Sequence, residues 1–312
     1  MDENTIQKYL VEEELDHYAD GWISRREFIR RATIFGVGTA AATAMAASVA
    51  APARVRAAPL AQASPFHVEP DDPAVSSEYV FFTSDDGVTL KAYMAWPNGA
   101  PANNSLPGVI VCHQNRGANE HILDVTRRFA KQGYVALAPD LPSRFGAATD
   151  ESTPEAVMAA YRQLNSEQNA RDFRAGLEYL SRNSSVDASK LAANGYCFGG
   201  GVIWRLTTIA PQLTVAAPFY GGTPPLDRIP NIKAAVLGVY ASLDTRGNAG
   251  IPDIVTNADA AGLAYEITIY GESEHGFHDD TQSSYNPVTA VQAWKDMLNW
   301  FAKYLNLPAP TF

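Results

Sequence analysis

The stretch Asn194-Gly195-Tyr196-Cys197-Phe198-Gly199-Gly200-Gly201 decides how the rest of the chain is read. Residues 190–193, just before it, read as the start of a short buried strand, and residues 202–209 read as helix. A G-x-C-x-G-G pattern at such a junction is what a sharp strand-to-helix turn requires. The turn forces its central residue into a strained backbone conformation, and neighbouring side chains must nearly vanish for the chains to pass. The helix that follows aims its N-terminus at the sulfur, and its free N–H groups favour the thiolate. Cys197 is therefore a candidate nucleophile. The alternative is a glycine-rich turn around a buried cysteine, and the motif alone does not separate the two.

Outward from this stretch, strands and helices alternate. Residues 78–83 and 88–96 alternate polar and apolar side chains around Asp85-Asp86-Gly87, which predicts a β-hairpin. Residues 108–112 form a short apolar run, as a strand buried on both faces does. Helical spacing follows over 120–132, a strand over 134–138, and helix over 153–180 with a break near Ser166. Strands are expected at 213–219, 234–240 and 265–270, and helices at 251–261 and 287–305. This order predicts an α/β fold, mainly a parallel sheet with helices on both faces.

The 312 residues are 46% hydrophobic and 19% charged, the composition of an ordinary globular protein. A net charge of −10, with no basic stripe beyond the N-terminus, argues against a nucleic-acid partner. Two cysteines, Cys112 and Cys197, are too few for a disulfide scaffold or a multi-cysteine metal cluster.

The leader reads differently. Ser24-Arg25-Arg26-Glu27-Phe28-Ile29 matches the twin-arginine export pattern, and an alanine-rich, mildly apolar run follows over 32–52. Small-residue cleavage sites lie at Ala61-Gln62-Ala63 and at Ala57-Ala58. Residues 1–63 are thus expected to be a signal peptide with an acidic N-terminal extension, and 64–312 a single domain. The expected partner of the precursor is the twin-arginine export machinery, and the expected location is periplasmic or secreted. A retained anchor is the other reading, since 32–52 is long enough to span a bilayer. Alanine and glycine give little insertion free energy, so stable membrane insertion is not expected.

In open parallel sheets ligands bind beyond the carboxyl ends of the strands. Asp244 follows the strand at 234–240, and His275 the strand at 265–270. The order Cys197, Asp244, His275 is that of an α/β-hydrolase triad. His113-Gln114-Asn115-Arg116-Gly117 follows the strand ending at Cys112, where that fold places a second oxyanion donor. Taken singly, Asp244 reads as a turn or cap residue and His275 as a solvated loop histidine.

Over residues 78–306 the sequence resembles the dienelactone hydrolase (carboxymethylenebutenolidase) family, cysteine-dependent enzymes of the α/β-hydrolase fold. Gly195-Tyr196-Cys197-Phe198-Gly199-Gly200 resembles the family's nucleophile turn, and Asp244 and His275 match its acid and histidine. The segments Gly133 to Leu141 and Phe219-Tyr220-Gly221 resemble further family signatures. The resemblance implies hydrolysis of a small ester or lactone through a thioester acyl-enzyme, without cofactor or metal. The N–H groups of Phe198 and Asn115 would hold the oxyanion, with Gln114 beside them. Gln114 stands where the family prototype has a glutamate that meets the resting cysteine. His278-Asp279-Asp280 stands near where the prototype has a carboxylate-binding arginine. Neutral esters are therefore expected to be preferred, through one of these aspartates facing the pocket, and Arg116 or Arg246 reaching in would reverse the sign. Two other classes stay open: a redox-regulated thiol protein using Cys112 and Cys197, and a non-catalytic binding protein on a hydrolase scaffold.

Overall fold

The apolar runs become strands and the 3.6-period segments become helices. The computed structural model describes residues 3–19, 23–49 and 63–312. In chain order the elements are α1 (Glu3–Ala19), α2 (Arg25–Ile34), α3 (Thr39–Ala47), β1 (Val75–Thr83), β2 (Thr89–Pro97), β3 (Leu106–Cys112), α4 (Glu120–Lys131), β4 (Val135–Pro139), α5 (Pro154–Ala160) and α6 (Ser166–Ser181). There follow β5 (Val186–Tyr196), α7 (Phe198–Thr207), β6 (Val215–Phe219), β7 (Ala235–Ala241), α8 (Thr245–Asn248), α9 (Ile251–Ala261), β8 (Tyr265–Tyr270) and α10 (Pro287–Leu305).

The eight strands form one sheet in the order β1-β2-β4-β3-β5-β6-β7-β8. The β1–β2 hairpin and the β2–β4 pair are antiparallel, and the other pairs are parallel. One face is covered by α4 and α10, whose Phe129 and Trp294 rings meet at 4.8 Å. The other is covered by α6 and α7, which pack on each other and on the central strands. Trp204, Phe173 and Phe219 are fully buried within these layers. Each such side chain contributes about 1.5–3 kcal/mol by leaving water. This is the α/β-hydrolase architecture expected.

The break near Ser166 has a local cause. Asn165 turns its side-chain oxygen onto the N–H groups of Glu167 and Gln168, capping a new helix. Strand β5 begins earlier than expected, at Val186, because its polar first half (Asp187, Ser189, Lys190) runs partly exposed and reads as loop. In the leader, α2 and α3 are separate short helices with Gly36 between them at φ +95°. No helix among the described residues is long and apolar enough to cross a membrane.

The leader is not detached from the body. Ile6, Leu10, Val11, Phe28, Ala32 and Phe35 are buried in the same core cluster as the sheet.

Register sets where loops converge. Cys112 pairs with Gly195, Tyr196 with Phe219, and Phe219 with Val239. The carboxyl ends of β3, β5, β6 and β7 therefore end level, and the loops after them share one rim.

Candidate active site

At the centre of that rim β5 gives way to α7 through Cys197, whose backbone stands at φ 57°, ψ −121°. A non-glycine residue there is strained by about 1–3 kcal/mol. The surroundings hold it: the Cys197 N–H donates to the Phe219 carbonyl at 3.0 Å, and the Gly201 N–H to the Cys197 carbonyl at 3.3 Å. A Cβ on Gly199 would lie 2.4 Å from the His113 carbonyl oxygen, and one on Gly200 2.4 Å from that of Phe219. The two glycines thus let α7 touch both neighbouring strand ends.

Asp244 follows β7 and caps α8, accepting the Gly247 N–H at 2.8 Å. Its other carboxylate oxygen lies 2.6 Å from His275 Nδ1. His275 sits in the loop after β8, with its ring 4.9 Å from that of Tyr220. Burial disfavours the imidazolium, but Asp244 and Cys197 outweigh it and push the His275 pKa well above the ordinary value. Burial likewise works against the Asp244 charge, and His275 overcomes it and lowers the carboxyl pKa. The buried His275 Nε2 is left facing the Cys197 sulfur and Glu13 Oε1, the latter at 3.9 Å. Cys197 and His275 each bring a ligand atom within 4.8 Å of the other.

Asn115 and Gln114 lie in the buried loop after β3, beside the start of α7. No acceptor among the described residues takes the Asn115 N–H or the Phe198 N–H at the first position of α7. The Gln114 side-chain nitrogen is buried without a partner. His113 organises this loop: its Nδ1 lies 2.7 Å from the Gln114 carbonyl and 3.0 Å from the Tyr161 hydroxyl, and its Nε2 accepts the Leu141 N–H at 3.1 Å.

Sequence reasoning missed the place of α1 beside Cys197. Cys197 Sγ donates to Glu13 Oε1 at 2.9 Å and lies 3.8 Å from the Tyr9 hydroxyl. Glu13 Oε1 is also 3.9 Å from His275 Nε2. Asp16, one turn on, takes Arg246 Nε at 2.6 Å, and Arg246 stacks over the Tyr9 ring at 4.8 Å. Glu14 lies 3.9 Å from Arg116. The signal was present: Tyr9, Glu13 and Asp16 recur at helical spacing on one face. Burial, then Glu13, raises the Cys197 pKa, and His275 pulls against them.

The aspartates after His278 do not face this site. Asp280 bonds His121 Nδ1 at 3.1 Å and Arg128 Nη2 at 2.9 Å, and Asp279 takes the Thr281 hydroxyl at 2.6 Å. The expectation of an acidic wall is corrected: the loop turns inward after His275, where Asp280 meets His121 and Arg128, and Asp279 is held through Oδ1 by Thr281 while its buried Oδ2 takes no hydrogen bond from a described residue. His278 stacks on Tyr196 at 4.9 Å within the core. Burial, reinforced by His121 and Arg128, pushes its pKa well below the ordinary value, so it stays neutral. The groups His121/Asp279/Asp280 and His67/Asp124/Asp280 bring metal-ligand atoms within 4.8 Å of one another. Arg128, bonded to Asp124 and Asp280, already supplies a cation there. Cys112 and Cys197 are both unpaired and buried.

The dienelactone hydrolase family model matches residues 90–305, which includes all three of Cys197, Asp244 and His275. A Salmonella typhi protein named "Putative carboxymethylenebutenolidase" is 33% identical over 260 residues, covering 80% of this chain and 94% of its own length. A Yersinia pestis protein of the same name is 35% identical over 230 residues, covering 70% and 85%. The solved "Putative Dienelactone Hydrolase" of Klebsiella pneumoniae superposes with a TM-score of 0.66 at 31% identity, over 74% of this chain and 100% of its own. A dienelactone hydrolase-like phosphotriesterase from metagenomic libraries, at 24% identity and a TM-score of 0.65, shares the fold. Sheet order and these matches agree, and the chain belongs to the dienelactone hydrolase family of ester and lactone hydrolases.

Proposed function

We propose that the chain hydrolyses a small ester or lactone through Cys197, His275 and Asp244, by way of a thioester. The observation that carries this reading is the 2.6 Å contact of His275 Nδ1 with Asp244 on the rim where Cys197 is held in its strained turn. Asp244 fixes the tautomer with the proton on Nδ1, which leaves Nε2 free to take the thiol proton. The sulfur attacks the acyl carbon, and the oxygen of the tetrahedral adduct is held by the Phe198 and Asn115 N–H groups. Each donor is worth roughly 3 kcal/mol in the transition state. His275 returns the proton to the leaving alkoxide. It then deprotonates a water that attacks the thioester, and Cys197 recovers its proton as the acid leaves.

The acyl group is read as anionic. With Asp279 and Asp280 turned away, Arg116 and Arg246 lie at the rim, and each meets an acidic side chain of α1. A substrate carboxylate would find the same partners. The exposed Arg25 and Arg26, which make no ion pair with a described residue, support a twin-arginine route to the periplasm. Hydrolysis of p-nitrophenyl acetate, lost in Cys197→Ala together with one-to-one iodoacetamide labelling, tests the nucleophile. An alanine variant with normal turnover would refute it.

A further inference from the structure

Two contacts made by the N-terminal part of the chain stand outside the hydrolytic machinery. The first is the docking of α1. Glu13 holds the Cys197 thiol, Tyr9 stands beside the sulfur, and Asp16 and Glu14 neutralise Arg246 and Arg116. Ile6 and Leu10, on the same face of α1, are 2% and 0% exposed, so the helix is seated by burial as well as by charge. A substrate carbonyl has no approach to Cys197 while Glu13 and Tyr9 occupy it. Burial disfavours the Glu14 charge, yet His17, Arg31 and Arg116 pull its pKa down to about 2, so the seat is ionic at neutral pH.

The second contact is at Ser64. Its backbone N–H donates to Asp280 Oδ2 at 2.8 Å, and the residue is 7% exposed. What fixes Ser64 lies on its C-terminal side. Its hydroxyl accepts the Phe66 N–H at 3.2 Å, its carbonyl accepts the His67 N–H at 3.0 Å, and Val68 is tied to Asp124 at 2.8 Å. Cutting the chain just before Ser64 leaves all of these in place. Three carboxylates meet one guanidinium here: Asp124 and Asp280 share Arg128, Asp279 and Asp280 face the imidazole of His121, and the imidazole of His67 and the phenol of Tyr285 lie alongside.

We propose that the full-length chain is a self-capped precursor matured by cleavage of the Ala63–Ser64 bond, which frees α1 from Cys197 and converts the Ser64 N–H into a terminal ammonium held by Asp280. In the cut, water adds across the amide. Hydroxide goes to the Ala63 carbonyl carbon, the C–N bond breaks, and the Ser64 nitrogen leaves as an amine that is protonated at neutral pH. The agent is an endopeptidase that reads small residues one and three places before the bond, here Ala63 and Ala61. Asp280 lies five residues after His275, so the new ion pair anchors the loop that carries the catalytic histidine. The proposal rests on the hydrolase reading only for its effect on turnover.

The test uses the full-length chain with Leu60-Ala61-Gln62-Ala63 exchanged for Ile-Glu-Gly-Arg, so that factor Xa leaves Ser64 first. Iodoacetamide labelling of Cys197, in a Cys112→Ala background, and p-nitrophenyl acetate hydrolysis are followed before and after cutting. A cap closed 99 parts in about 100 makes both rates rise about 100-fold on release. In the uncut chain Leu10→Glu should raise labelling in the same direction. Labelling unchanged by both the cut and Leu10→Glu overturns the cap. Labelling that rises with no hydrolysis keeps the cap and defeats the hydrolase reading instead. For the ammonium, the cut chain beginning at Ser64 is compared with one retaining two residues ahead of it. The free amine paired with Asp280 has a raised pKa, so its stabilisation is complete below about pH 7.7, the ordinary α-amino value, and is lost as pH rises through the folded value. The Ser64-first chain should have the higher Tm at pH 6.5, and the difference should vanish at high pH and in Asp280→Asn. Equal Tm values at pH 6.5 overturn the ion pair. A mature N-terminus other than Ser64, read by mass spectrometry of protein from the producing cells, overturns the cleavage site.

Discussion

At the scale of single residues, the site separates two histidines that lie three positions apart. His275 is held by Asp244, whereas His278 is stacked among Tyr196, Phe219 and Trp294. His275→Ala should therefore lower kcat by about 10³-fold or more, and should also lower Tm at neutral pH, because Asp244 is left buried without its partner. His278→Ala should change kcat little while costing about 2–4 kcal/mol of stability by leaving a cavity. Turnover and thermal melts of the two variants check this, and the reverse ranking in kcat would reassign the base. Asp244→Asn should cost roughly 10⁴-fold in kcat by releasing the tautomer, as at the corresponding position of serine protease triads. Cys197→Ser should be poor as well, because a hydroxyl is far less acidic than the thiol this site is shaped around.

At the scale of elements, the turn between β5 and α7 carries the site, and its tolerance is set by backbone contacts. A methyl at Gly199 would fall 2.4 Å and 2.6 Å from the carbonyl oxygens of His113 and Cys112, neither of which is a flexible side-chain tip. Gly199→Ala should therefore lower Tm and activity together, with a loss of several kcal/mol in chemical denaturation. The body's elements were legible because both periodicities are clean there, down to the break that Asn165 imposes before α6. The polar half of β5 was not, because an exposed strand lacks the apolar run. Nor was α8, one turn long, which Asp244 caps. The proximity of Cys197, Asp244 and His275 was legible because each follows a strand end, so chain order alone places the three on one rim. The place of Glu13 was not, since export motifs argued for setting aside the segment that holds it. Asp279 and Asp280 misled because sequence adjacency to His275 does not say which way a loop turns. Their burial has a measurable consequence. Burial opposes the Asp280 charge, but His121, Arg128 and the Ser64 N–H outweigh it and hold the carboxyl well below its usual range. The stabilisation is complete above about pH 4, the unfolded value, and is lost as pH falls through the folded one. Asp280→Asn should lower Tm at pH 7, and its deficit should shrink toward pH 2.

For the whole molecule the net charge of −10 is a poor guide to what the site accepts. The local field depends on which charges are paired and where. Asp280, five residues after His275, meets His121 and Arg128 in the interior. At the rim, Arg246 and Arg116 take Asp16 and Glu14 of α1. When an anionic substrate replaces those acids, each opposite-charge contact at about 4 Å is worth about 1 kcal/mol in bulk water and about 4 at an effective dielectric near 20. That range corresponds to about one to three decades in kcat/KM. A carboxylate-bearing lactone should therefore be preferred over its neutral methyl ester, by more at low salt than at high salt, since an open rim is screened. Arg246→Gln should remove most of the preference while leaving the neutral ester's turnover within a few-fold. Asp279→Asn should leave the preference unchanged, because that side chain answers to Thr281 and His121 rather than to the pocket. A ratio of rates for the two substrates, measured in both variants across ionic strength, decides the matter. A preference for the neutral ester that disappears in Asp279→Asn would put the acidic wall back into the pocket.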